Sequence, residues 1–140
     1  MARETKELTI GGNAYTIGHH GPDNGDEIVA YLTKTAGPIA VACMGMMDND
    51  AEDPKVAGHL AGGLAGLSGK EHARFMRLLL SVCTVNGAPL DGKAYDAHFI
   101  GLHGERYRLA VEVIRHNGFF DVVGALMDAL KTPESPAPQT

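Results

Sequence analysis

The apolar positions over residues 94–130 fall at helical spacing, and the rest of the chain is organised around them. Leu109, Ala110, Val113 and Ile114 share one helix face, and Phe119, Val123, Leu126 and Leu130 share another. Asn117-Gly118 stands between them as a helix stop, because glycine enters the left-handed region at little cost. Two helices meeting at a corner cannot cover both faces by themselves, so this pattern requires upstream partners. Ser68-Gly69-Lys70-Glu71 has the form of a capping box, in which a hydroxyl and a carboxylate satisfy two free amides at a helix start. Phe75, Leu78, Leu79 and Val82 mark the face that follows, and Met76 and Leu80 widen it, which makes this helix central.

Upstream the period changes. Leu8 and Ile10, then Tyr15 and Ile17, alternate with polar neighbours around Gly11-Gly12-Asn13, which predicts a β-hairpin over 6–17. A lone hairpin is marginal in water, so it must lie on the helices or on a partner's sheet edge. Residues 19–25 read as a loop, and a helix resumes at Asp26-Glu27 with Ile28, Tyr31 and Leu32 on its face. Gly37-Pro38 breaks it. Ile39, Ala40, Cys43, Met44 and Met47 form a second apolar segment, with methionines that suit core filling or an adaptable contact surface. Residues 48–55 are acidic and loop-like. Residues 58–66 are a weak helix or a connector, since each interior glycine costs a helix about 1 kcal/mol relative to alanine. Residues 84–90 read as a short extended piece with an Asn-Gly turn.

The expected fold is therefore α+β and mainly α: an N-terminal hairpin followed by a bundle of about five or six helices. One domain spans 1–131, with the hairpin at 6–17 and the helical part at 26–130. Residues 132–140, rich in proline, read as a disordered tail.

Composition narrows the function classes. With 4 Phe, 4 Tyr and no Trp in 140 residues, the core must be mainly Leu, Val, Ala and Met. A formal charge of −5 disfavours a nucleic-acid binder, which needs a basic face. Cys43 and Cys83 sit in apolar contexts, as buried thiols of a reducing compartment do. No charged-then-apolar leader opens the chain and no apolar run is long enough to cross a bilayer, so an intracellular protein without a membrane is expected.

Candidate chemistry is thin. His19 and His20 are adjacent and diverge. His98 and His103 are five apart, a poor fit to helical metal spacing, and His116 suits a helix C-terminus. The calcium-loop reading of the segment starting at Asp48 fails because Asp53 stands where glycine is needed and His59 where glutamate is needed. The glycine run lacks the Lys-Ser/Thr of a phosphate loop. Ser68 is explained by capping. Cys83 is placed at a helix end whose dipole raises a thiol pKa. His98, Asp96 and Glu105 come nearest to an acid–base cluster, but Glu105 equally suits the first turn of a helix. The residues point to no catalytic, cofactor or metal site, and so to a protein that is not an enzyme.

Three local patterns carry a resemblance. Val85, Gly87, Pro89 and Leu90 form a turn after a helix; His98, Phe99, Gly101, Gly104 and Glu105 form a junction; Asn117 and Phe120 end the helix that follows. Over residues 75–120 the chain resembles the small tail assembly chaperones of long-tailed bacteriophages, and the N-terminal strand pair is similar too. The resemblance implies a non-enzymatic protein of the host bacterial cytoplasm that is absent from the mature virion. It implies binding to the tape-measure protein, a very long apolar helical chain kept soluble until use. It also implies recruitment of tail-tube protein, in many phages through a longer frameshifted form, and leaves a homo-oligomer open. A chaperone for a helical client needs apolar grooves or stripes. Met44, Met46, Met47, Phe119, Phe120 and Leu126 are the candidate client-binding residues, with core packing as the plain alternative. The competing functions are a structural tail completion or connector protein of the virion and, third, a small metal-dependent or acid–base enzyme.

Overall fold

Two glycine turns build the sheet. Strand β1 (Lys6–Ile10) returns as β2 (Asn13–Ile17) through Gly11-Gly12, whose φ values of +57° and +86° give the left-handed two-residue turn that follows strand twist. Strand β3 (Cys83–Val85) returns as β4 (Ala88–Pro89) through Asn86-Gly87, at φ +50° and +88°. Tyr15 pairs with Val85 and Ile17 with Cys83, so the hairpins fuse into one antiparallel sheet of order β1-β2-β3-β4. Asn86 pins the junction: its amide donates to Ala14 O at 2.7 Å, and its Oδ1 accepts from Ala14 N at 3.1 Å. The N-terminal hairpin thus finds its edge partner within the chain. The piece at 84–90, expected only as an extended turn, is part of a second hairpin, because Asn-Gly supplies the same turn as Gly-Gly. The computed structural model describes residues 5–34, 61–62, 64–119, 121–122 and 125.

The described residues include four α-helices with both ends described and a 3-10 turn at Leu64–Gly66, with further helical residues at 61–62, 119, 121–122 and 125. Helix α1 (Pro22–Lys34) starts four residues before the expected Asp26. Pro22 lacks the amide that a first helical residue cannot use and has its φ already set, so the helix begins inside what reads as a loop. Helix α2 (Gly69–Leu80) starts with the expected capping box: Ser68 Oγ accepts from Glu71 N at 3.1 Å, and Glu71 accepts from Ser68 N at 3.2 Å. Helices α3 (Gly92–His98) and α4 (His103–His116) divide the run that opened the sequence reading. Asn117 and Gly118, at φ +75°, end α4 as expected. The apolar segment at 39–47, the acidic loop at 48–55 and the tail lie outside the described residues. Of the helix expected from Phe119 through Val123, Leu126 and Leu130, the described residues Phe119, Asp121, Val122 and Ala125 are helical, and the other three named positions lie outside.

Helix α4 is the core. Leu109, Ala110, Val111, Val113 and Ile114 are fully buried, covered by the sheet on one side and α2 on another. Phe75, Met76, Leu79 and Leu80 are likewise fully buried, so the wide apolar face of α2 is packing and not accessible surface. Helix α1 closes the far side of α2 with Ile28 and Leu32, while Tyr31 meets Phe75 edge-on at 6.0 Å. Cys83 lies on β3 and not at a helix end; burial, not a dipole, pushes its thiol up to about 12. No helix among the described residues is long and apolar enough to cross a membrane.

Candidate functional site

Each end of α4 carries a polar cluster that ties it to the sheet. At the N-terminal end, alternation along β2 turns Tyr15 inward on the same face as Ile17, leaving the phenol 1% exposed. A buried hydroxyl needs partners. Tyr15 donates to Glu105 Oε2, in the first turn of α4, and Asn13 Nδ2 donates to the same oxygen at 2.8 Å. His98 Nε2, at the end of α3, lies 2.7 Å from the phenol oxygen. Since the phenol hydrogen goes to Glu105, that ring nitrogen is the donor. Burial, then the Glu105 carboxylate, pushes the Tyr15 phenol well above its usual range, so it stays neutral. A Cβ at Gly11 would sit 2.3 Å from Glu105 Oε1, so a side chain there would have to push the carboxylate aside, and the φ of +57° favours glycine on its own.

This cluster brings His98 and Glu105 together, as the acid–base reading has it, but around Tyr15, which that reading missed. Asp96 does not join; it pairs with Arg77. The geometry fits an interlock: the donors and acceptors face one another, and Glu105 also borders an open hollow of about 380 Å³ shared with Ile10, Gly11, Leu102, Gly104 and Arg108. His103 and His116 are elsewhere. His103 Nδ1 is 3.4 Å from Arg106, and His116 stacks on His19 at 4.4 Å. Among the described residues no group of three or more His, Cys, Asp or Glu could hold a metal ion.

At the C-terminal end, one neutral amide does the tying. Asn117 Oδ1 accepts from His20 N at 2.8 Å, while its Nδ2 donates to Val113 O at 3.0 Å and Gly18 O at 3.2 Å. His20 Nε2 donates to Leu79 O at 2.8 Å, and its Nδ1 is buried without a partner. Burial lowers the His20 pKa. Phe119 belongs to the core at 7% exposure, yet its ring walls an open hollow of about 320 Å³ shared with His19, His20, Pro22, Val29 and Asn117. Of the six candidate client-binding residues, Phe119 is therefore a buried side chain with an edge on a hollow. Met44, Met46, Met47, Phe120 and Leu126 lie outside the described residues.

A third feature has no counterpart in the sequence reading. Ile100, in the corner between α3 and α4, is 78% exposed. No periodicity marks it, because it belongs to neither helix.

The sequence matches the family model described as phage tail assembly chaperone protein, TAC, over residues 11–127. No curated protein and no solved structure matches the chain. The match runs from the first hairpin turn past the end of α4, so it takes in both interlocks and the α3–α4 corner. By that match the chain belongs to the phage tail assembly chaperone family, a non-enzymatic family.

Proposed function

We propose that this chain binds the tape-measure protein, keeps it soluble in the host bacterial cytoplasm, helps recruit tail-tube subunits, and is absent from the mature virion. The family match over 11–127 is the observation that carries the reading. Physical support comes from the open hollow at Phe119, beside the end of a helix whose own apolar face is already buried. An apolar helical client presents side chains at i, i+3, i+4 and i+7, which such a hollow can accept one at a time. Phe119 with Phe120, Leu126, Met44, Met46 and Met47 is the proposed client groove, the last five on the strength of their sequence pattern. Contact with the tube falls to a longer frameshifted form, and self-association is open to both forms.

The test is co-expression with the tape-measure protein. The expected result is soluble tape-measure protein that co-purifies with this chain and is lost to the pellet without it. Phe120→Ser with Leu126→Ser should reduce co-purification; unchanged recovery with an intact fold removes the groove. Mass analysis of purified particles addresses the competing reading, since a connector protein is retained there and a chaperone is not.

A further inference from the structure

We propose that His20 is a proton-operated latch: one proton on its Nδ1 releases the loop between β2 and α1 and widens the hollow at Phe119. That the hollow receives a client rests on the function proposed above; the latch rests on the loop's own contacts.

Residues 18–21 carry the chain from the sheet to α1 and are tied on the way to α2 and α4. Gly18 N donates to Val82 O at 3.1 Å, and His20 N donates to Asn117 Oδ1 at 2.8 Å. A Cβ at Gly18 would stand 3.1 Å from Val82 O, tighter than ordinary contact, so glycine lets the loop lie this close. The His20 ring fastens the loop to α2. Its Nε2 donates to Leu79 O at 2.8 Å, in the last turn of α2, where carbonyls have no partner within the helix. The ring stands 6.1 Å from that of Phe119, and both border the hollow of about 320 Å³.

That bond fixes the tautomer. Because Nε2 carries the hydrogen, Nδ1 is a bare lone pair, and it is buried with no partner among the described residues. A proton there would create a buried cationic N–H with no acceptor. The Leu79 carbonyl, at the negative end of α2, favours a charge on the ring. Burial opposes it and is the larger effect, so the pKa of the ring is lowered. Swinging the ring outward removes the conflict, since water then reaches both nitrogens. Asp26, exposed on α1 and bordering the same hollow, offers a counter-charge there. The other titratable groups on that side are His19, which lines the hollow, and His116 of α4, which stacks on His19 at 4.4 Å. His72 makes the contrast. Its Nε2 lies 2.7 Å from the Tyr107 hydroxyl, which can donate to a neutral ring or accept from a charged one. His72 can therefore gain a proton in place, whereas His20 gains one by letting go.

The experiment is native-state hydrogen exchange of the full chain from pH 7 to pH 5, read amide by amide by NMR and corrected for intrinsic exchange. Protection of the Gly18 and His20 amides should fall about tenfold per pH unit below 6.5, as one-proton linkage requires. It should stay well below that of the Val111 and Val113 amides in the core of α4, which report global unfolding. His20→Gln keeps a donor for Leu79 O and has no proton to gain, so the slope at Gly18 should flatten. Asp26→Asn and His19→Gln should keep the slope, which separates His20 from its titratable neighbours. Three results each overturn the latch: Gly18 as protected as Val113 at every pH, a flat wild-type profile, or an unchanged slope in His20→Gln. Should His20→Gln fail to fold, the NMR titration of the wild-type His20 ring decides. Half-protonation at or above 6.5 overturns the latch, and half-protonation below 6.5 with a sloping Gly18 profile supports it. None of these readouts involves a client, so the chaperone reading stands or falls separately.

Discussion

The two ends of α4 solve one problem with different chemistry. Each must hold the N-terminal hairpin against a helix that is buried nearly all round. The N-terminal end uses a charged acceptor, Glu105, shared by Tyr15 and Asn13 and braced through His98. The C-terminal end uses Asn117, a neutral amide reaching Gly18, His20 and Val113. Hydrogen bonds to an ionised group are worth roughly twice neutral ones, and leaving a buried partner unsatisfied costs more than the bond itself contributes. The charged end should therefore be the stronger fastening and the more brittle one.

Substitution can break that contrast directly. Glu105→Ala strands the Tyr15 hydroxyl and the Asn13 amide, and the expected loss is roughly 3 kcal/mol in urea unfolding. Glu105→Gln keeps one acceptor and should cost about half as much. A loss no larger than that of the next variant would mean the carboxylate contributes nothing special. That variant is Asn117→Ala, which takes the side-chain partner from His20 N and Gly18 O while Val113 O keeps the Asn117 backbone amide; about 2 kcal/mol is expected.

The smallest effect sharpens the comparison through pH. Burial lowers the pKa of His20 below its ordinary 6.5, so the unfolded chain binds the proton more readily than the folded one. Its contribution is complete above 6.5 and is lost as pH falls from there toward the folded pKa. His72 adds to the same slope with the same sign, its pKa lowered by burial and then by Arg106. Melting temperature should therefore fall between pH 7 and pH 5, less steeply in His20→Gln. An identical slope in that variant would place the proton uptake elsewhere.

Much of this was legible in the residues, for physical reasons that differ by region. The capping box at Ser68, the face of α2 and the stop at Asn117-Gly118 are local signals, set by residues within one or two turns. The start of α1 was not legible, since Pro22-Asp23-Asn24-Gly25 carries the residues of a loop and becomes helix through Pro22 at its first position. The Tyr15 interlock was half legible: His98 and Glu105 are near in sequence, but Tyr15 is 90 positions from Glu105 and only the fold joins them. The knob at Ile100 has no period to betray it, and its exposure is a property of the corner alone.

Strand β2 is an inner strand whose two neighbours reach it at very different times. β1 precedes it across a two-residue turn, whereas Cys83 to Val85 must first be synthesised far downstream. At about 5–20 residues per second, the ribosome leaves the β2 edge of the hairpin unpaired for several seconds. During translation that edge is open to any extended chain nearby, and the arrival of β3 with its Asn86 clasp is the event that withdraws it.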